Sequence, residues 1–341
     1  MKAQVLQRFA DLQEQPEPLT LCRLPDPVPG EHEILIRVSA CGVCHTELDE
    51  IEGRVSPRLP VVPGHQVVGR VEKGGHLAKR FQPGDRVGVG WIYSACGRCE
   101  FCKNGLENLC PEFQATGLDA DGGYAEYMTV AEDFAYQVPD IFTDIQAAPL
   151  FCAGGTGFRS LRLTGLVNGQ NLGLTGFGGS GHLVLQMAKY LFPDSNVFVF
   201  ARNPVERSFA LELGAVWAGD TAEAAPEPLH AIIDTTPAWR PVVAAMANLA
   251  PGGRLVINAI RKEGRDQEVL LELDYPHHLW LEKEIKSVAN VCRRDVAEFL
   301  ELAAKMDLKP EVEIYPLERA NQALYELKTG KIRGAKVLRV S

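Results

Sequence analysis

The stretch CGRCEFCKNGLENLC, residues 96–110, places four of the chain's nine cysteines, Cys96, Cys99, Cys102 and Cys110, at the spacing C-x2-C-x2-C-x7-C. Four thiolates at such intervals close a tetrahedron around one zinc ion and leave no position for a substrate. The set therefore reads as a structural clamp for a loop that lacks a core of its own. Iron–sulfur ligation is the rival, since bacterial clusters end on a gap of about three residues followed by proline, and Pro111 does follow Cys110. Here the last gap is seven residues and no second cysteine set accompanies it. Zinc fits better.

Two further stretches can do chemistry. Cys41-Gly42-Val43-Cys44-His45 has the C-x-x-C-H form of a haem attachment site, and Cys41 with Cys44 has the spacing of a redox pair. Haem attachment belongs to exported proteins, and "MKAQVLQRFADLQEQPEPL" has no cationic start leading into a continuous apolar run. No βαβ pattern surrounds the pair, which argues against a thioredoxin-like site. Gly176-Phe177-Gly178-Gly179-Ser180-Gly181 fits G-x-G-x-x-G directly after an apolar strand pattern and directly before a helical one. In that setting the glycines allow close backbone approach, and the helix N-terminus faces the pyrophosphate of a dinucleotide.

The elements that must position these groups fall into two textures. Up to about residue 150 short strands, such as "HEILIRVSA", "HQVVGRVE", "DRVGVGWI" and "GYAEYMTV", are broken by Gly and Pro, as in an irregular β domain. Beyond residue 153, strands ("NLGLTG", "NVFVFA", "HAIIDTT", "RLVINAI") alternate with helices ("SGHLVLQMAKYLF", "PVERSFALELGA", "WRPVVAAMANLAPGG"), which predicts a doubly wound parallel sheet. A helix, "DVAEFLELAAKM", and a strand, "AKVLRV", follow. The 341 residues are enough for about two domains. With 46% hydrophobic and 23% charged residues the composition is that of a globular protein, and no apolar run is long enough to span a bilayer. The net charge of −9 argues against a nucleic-acid partner. A cytoplasmic location is expected, where disulfides rarely persist and clustered cysteines bind metal or react.

The order of these motifs resembles the zinc-dependent medium-chain alcohol dehydrogenases. "CGVCHTEL", "PVVPGHQVVGRVE", "GDRVGVGW", the cysteine loop, "GGYAEY" and "GKIRGAKVL" carry the likeness over almost the whole chain. The resemblance implies a GroES-like irregular β catalytic domain, residues 1–152 completed by 289–341. It also implies a Rossmann cofactor domain, residues 153–288, and a substrate cleft between the two domains. It further implies an open catalytic zinc site of Cys44, His65 and Cys152, whose fourth position is left for water or substrate. Thr46 matches the hydroxyl that takes the alcohol proton, and His45 the contact to the cofactor diphosphate. Where the family has Gly-His-Glu this chain has Gly64-His65-Gln66. Where it usually has Asp, and often His at the end of the proton relay, this chain has Glu47 and Asp49. Glu47 is then expected to orient His65, and Asp49 to end the relay. Many relatives carry an Arg at the position of Ala335 that meets the diphosphate, and Lys336 stands beside it here.

In NAD-selective Rossmann domains an acid about 20 residues after the glycine motif binds the adenosine ribose. That position is Ala201, followed by Arg202, with Arg207 nearby. A guanidinium suits a 2′-phosphate, so NADP is the expected cofactor, with NAD as the alternative. The expected activity is reversible hydride transfer between an alcohol and a nicotinamide cofactor, in a homodimer or homotetramer. A polyol or amino-alcohol dehydrogenase of the same superfamily, and a zinc- and dinucleotide-binding protein without turnover, are the rival readings.

Overall fold

The computed structural model describes residues 1–330 and 333–341; Lys331 and Ile332, part of the "GKIRGAKVL" motif, lie outside the described residues. The chain divides into two units, Met1–Gly155 with Val291–Ser341, and Thr156–Asn290.

The first unit is built on a seven-stranded sheet around the long strand Glu33–Val43. Val67–Gly74 pairs antiparallel along one edge of that strand. Tyr127–Ala131 and Ala335–Arg339 share the other edge, the first pairing residues 33–37 and the second residues 40–43. Beyond Val67–Gly74 lie Arg86–Val89 and Ala135–Gln137, and Val312–Pro316 closes the opposite side against Ala335–Arg339. The C-terminal segment thus supplies two strands of the N-terminal sheet. Ile34, Ile36, Val38, Val67, Val71, Val87 and Val89 alternate into the core, as a half-buried sheet requires.

Two features of this unit hold functional residues. Strand Glu33–Val43 ends one residue before the helix His45–Ile51, so Cys44 sits at the corner as N-cap. The cysteine loop folds into the short helices Glu100–Lys103 and Glu107–Leu109. It is tied to the returning C-terminal segment by the buried Glu107, which accepts from Arg293 Nε at 2.7 Å.

The second unit is a six-stranded, wholly parallel sheet. Its spatial order is Trp217–Gly219, Val197–Phe200, Leu172–Thr175, Leu229–Asp234, Leu249–Ile257, Glu284–Ser287. Numbered by their place in the chain, these strands run 3-2-1-4-5-6, the order of dinucleotide-binding sheets, with the strand order reversing between Leu172–Thr175 and Leu229–Asp234. Helices Gly179–Leu191, Pro204–Glu212 and Arg240–Ala247 link the strands. The helix expected over "WRPVVAAMANLAPGG" stops at Ala247, because Leu249 already begins the next strand.

Candidate active site and metal centres

The ligand atoms of Cys44, His65 and Cys152 lie within 4.8 Å of one another, and so do those of Cys96, Cys99, Cys102 and Cys110. All nine cysteines are unbridged. Disulfides therefore play no part in either set.

Three separate pieces of backbone bring the first set together. Cys44 is held at the strand-to-helix corner, where Glu47, at the third helical position, accepts its N–H at 2.7 Å. His65 precedes strand Val67–Gly74, and Gly42 N–H donates to the Gln66 carbonyl at 2.8 Å, which places the two ligands side by side. The turn into His65 needs glycine. Gly64 has φ +101, and a Cβ there would sit 2.3 Å from Tyr124 and 2.9 Å from Cys41 Sγ. Cys152 follows the buried Phe151, whose ring fills the space that a side chain at Gly88 would occupy, and it precedes the helix Ala153–Thr164.

The surroundings favour positive charge at the centre of the three donors. Cys44 is held well below the usual thiol range by its hydrogen bond with Cys152, against the opposing effect of burial and with help from His65. Burial pulls His65 down, but the Glu47 carboxylate, 2.6 Å from Nδ1, and the Cys44 sulfur together outweigh it and leave the imidazole well above its ordinary value. Both ring nitrogens of His65 are buried; Nδ1 lies against Glu47, and the ring's other hydrogen-bonding neighbour is the Cys44 side chain. Two soft sulfurs and a ring nitrogen beside them, with the other ring nitrogen anchored on a carboxylate, form a donor set suited to zinc. Trp91 packs edge-on against the imidazole, with ring centroids 5.2 Å apart, and restricts its rotation.

In the four-cysteine set the backbone turns N–H groups onto sulfur. Cys99 N–H points at Cys96 Sγ (3.4 Å), Cys102 N–H at Cys99 Sγ (3.5 Å) and Glu112 N–H at Cys110 Sγ (3.4 Å). Backbone N–H groups of Arg98 and Cys99 lower Cys96 to about 6, while burial pushes Cys102 up to about 12. Unequal thiols this close, with Cys110 Sγ 3.5 Å from Cys96 Sγ, become equivalent only when a cation stabilises all four thiolates.

Thr46 is buried, with its Oγ1 3.7 Å from Cys44 Sγ, and His45 is exposed at the first turn of the same helix. Asp49 is engaged by Arg54 Nε at 2.7 Å, so its carboxylate already holds a guanidinium. Glu50 is a further buried acid on this helix, with little to mark it in the sequence. It is fully buried, both its oxygens lack partners, and burial followed by the charge of Glu47 raises it well above the carboxylate range. Its one signal in the sequence is spacing: it falls one helical turn after Thr46 and Glu47.

In the second unit Gly176 takes φ +82 at the end of strand Leu172–Thr175, and Gly178 caps the helix that starts at Gly179 and contains Gly181. A Cβ on Gly181 would meet the Gly176 carbonyl at 2.9 Å. Ala201 is buried just beyond Val197–Phe200, and Arg202 beside it is exposed. Arg207 donates to the Ala201 carbonyl (3.0 Å) and to Asp220 (3.3 Å), so it braces this turn rather than standing free for a ligand. Lys336 departs from its expected place at the diphosphate. It is buried in the first unit, and its ammonium is taken by Glu313 (2.6 Å), the Tyr315 hydroxyl (2.8 Å) and Glu326 (3.2 Å). Strand pairing turns this side chain into the sheet's own charge network, and no donor remains for a phosphate.

Residues 30–140 match the alcohol dehydrogenase GroES-like domain family. The whole chain is 40% identical to the probable alcohol dehydrogenase AdhA of Mycobacterium tuberculosis, covering 99% of this chain and 97% of that one. It is 34% identical to an alcohol dehydrogenase of Geobacillus stearothermophilus over the full length of both. The cobalt- and zinc-bound thermostable alcohol dehydrogenase of Pyrobaculum aerophilum superposes with a TM-score of 0.86 at 25% identity, over 100% of this chain and 99% of that one.

Two outcomes follow from the donor sets and from Glu50. Elemental analysis should find about two zinc ions per chain, and Cys44→Ser and Cys99→Ser should each lower that to about one. Cys99→Ser should also lower the melting temperature more than Cys44→Ser, because it opens the clamp that orders the loop. The second concerns pH. A carboxyl with a raised folded-state pKa contributes stability below its unfolded value, about 4.3, and loses it as pH rises towards the folded value. The stability of Glu50→Gln in urea, relative to the parent, should therefore increase as pH rises above about 5, the gap between the two changing with pH. A gap independent of pH would show that Glu50 does not titrate there.

Proposed function

The chain belongs to the medium-chain alcohol dehydrogenases, and we propose that Cys44, His65 and Cys152 hold its catalytic zinc and that NADP is its preferred cofactor. The enzyme interconverts an alcohol and its carbonyl compound by hydride exchange with a nicotinamide dinucleotide. The observation that carries the site assignment is the convergence of two thiols and one imidazole, from residues far apart in the chain, within 4.8 Å.

Zinc in such a site supplies a Lewis acid that favours the deprotonated form of an alcohol. The protein's own groups do the rest. Cys44, His65 and Cys152 would hold that zinc, and with three protein donors they would leave room for the substrate oxygen. Glu47 and Trp91 hold the imidazole so that Nε2 faces the two sulfurs. Thr46, buried beside Cys44, accepts the alcohol proton and passes it on. Asp49, closed by Arg54, is a poor terminus for that proton, so the relay leaves Thr46 by another route. Cys96, Cys99, Cys102 and Cys110, four thiols with no further donor needed, would hold a structural zinc.

Cofactor choice rests on the turn after Val197–Phe200. Ala201 presents no carboxylate to repel a 2′-phosphate, and the exposed Arg202 follows it directly. A planar guanidinium there pairs with a phosphate in a charge-assisted contact.

The test is kcat/KM for NADP and NAD with a panel of primary and secondary alcohols. The native enzyme should prefer NADP. Arg202→Ala should cost about tenfold with NADP, as expected for one lost charge-assisted contact, and leave NAD nearly unchanged. A native preference for NAD that survives the substitution would contradict the assignment.

A further inference from the structure

Among the buried charges of the second unit, one pair stands at the point where the strand order reverses. Asp234 is the last residue of strand Leu229–Asp234 and lies opposite Thr175, the last residue before the glycine loop. Its side chain is fully buried and forms an ion pair with the nearly buried Lys262. The Lys262 ammonium also donates to the carbonyl oxygens of Thr236, at 2.6 Å, and Ala238, at 3.1 Å. An ammonium has three protons. All three are spent here, so Lys262 is not a phosphate ligand in waiting.

The groups it gathers form one short segment. Thr236 Oγ1 donates to Asp234 Oδ1 at 2.8 Å, and both the N–H and the hydroxyl of Thr235 donate to the Thr175 carbonyl at 2.9 Å. That segment abuts the first glycine of the dinucleotide motif. A Cβ at Gly176 would lie 2.7 Å from Thr235 Oγ1 and 3.3 Å from Thr236 Cγ2. Two buried polar atoms close by have no partner in the protein, Thr175 Oγ1 and the amide nitrogen of Asn258, whose own backbone N–H donates to the Asp234 carbonyl at 2.7 Å. Ligands of open α/β sheets bind outside the carboxyl ends of the strands at the reversal of order, where these atoms lie.

We infer that Lys262 is a positioning residue for the dinucleotide: with Asp234 it clamps residues 235–238 as a fixed wall against Gly176, and the loop's fit to its ligand depends on that clamp. The inference rests on the reading of the glycine loop as a dinucleotide site. A buried cation that served stability alone would be replaceable by an apolar side chain once its anion was also neutralised. A clamp would not be, because its bonds to two carbonyl oxygens set where the segment lies.

The test uses the full-length, zinc-loaded protein and three variants: Lys262→Met, Asp234→Asn, and the two combined. The readouts are melting temperature without ligand and Kd for NADPH and NADH by nicotinamide fluorescence. Lys262→Met alone should melt lower, since it leaves a buried carboxylate without its cation. The double variant should recover most of that loss yet bind the dinucleotide about tenfold more weakly, a cost typical of a misplaced site wall. In turnover this should appear as a raised KM for the dinucleotide with a smaller change in kcat. Asp234→Asn, which keeps both carbonyl bonds, should bind within about threefold of the parent. A double variant that binds as tightly as the parent, or an Asp234→Asn variant as weak as the double one, would overturn the clamp. A parent that binds neither NADPH nor NADH would remove it together with the reading it rests on.

Discussion

The proposed metal centre depends on one buried carboxylate. Glu47 accepts the Cys44 N–H at 2.7 Å and lies 2.6 Å from His65 Nδ1, so a single side chain ties together two candidate ligands that flank different strands. Burial leaves Glu47 above the usual carboxylate range, although the nearby His65 opposes this. The carboxylate stays useful only while it is paired. The same contact leaves His65 with Nε2 as its remaining nitrogen, which fixes which atom faces Cys44 and Cys152. Removing it would strand a buried imidazole and free the helix corner at Cys44 together.

This arrangement also explains why the first unit tolerates so many buried charges. Six of the seven residues of helix His45–Ile51 are buried, three of them acids. Asp49 is satisfied by Arg54, and Glu52, just beyond the helix, by Lys328 at 3.1 Å and by Arg54. Glu47 is satisfied by the ligand set itself. Among the described residues of this helix, Glu50 is the acid with neither oxygen partnered, and burial followed by the charge of Glu47 favours its neutral form. The second unit has a counterpart in Asp234 and Lys262. In both units a fully buried carboxylate stands at the end of an element, next to the groups proposed to meet a ligand.

The parts of this structure that were legible in the sequence are those with local rules. Strand and helix alternation announced the parallel sheet, and the cysteine spacing announced a four-ligand loop, because consecutive ligands lie within a few residues. No such rule joins residues 44, 65 and 152, which meet only after two turns and a sheet pairing have formed; resemblance alone connected them. Lys336 shows the limit from the other side. Beside a phosphate-binding motif it read as an available cation, but its position on strand Ala335–Arg339 delivers it to Glu313 and Glu326, which no spacing rule could link to it. Strand Glu284–Ser287 was invisible because all four residues are exposed and nothing alternates; it exists through its parallel pairing with Leu249–Ile257. Glu50 went unnoticed because an acid within a run of acids reads as a solvated helix face, whereas this helix is buried almost all round.

The central claim, that Cys44, His65 and Cys152 form an open metal centre distinct from a closed four-cysteine clamp, is tested most directly by anomalous diffraction. Data collected on either side of the zinc absorption edge, from crystals of the enzyme as purified, should give two peaks per chain. One should lie about 2.3 Å from Cys44 Sγ and Cys152 Sγ and about 2.0 Å from His65 Nε2, with a non-protein oxygen as fourth ligand, and the other among Cys96, Cys99, Cys102 and Cys110. A single peak in the cysteine loop, or a first-site peak bound by four protein ligands, would contradict the account.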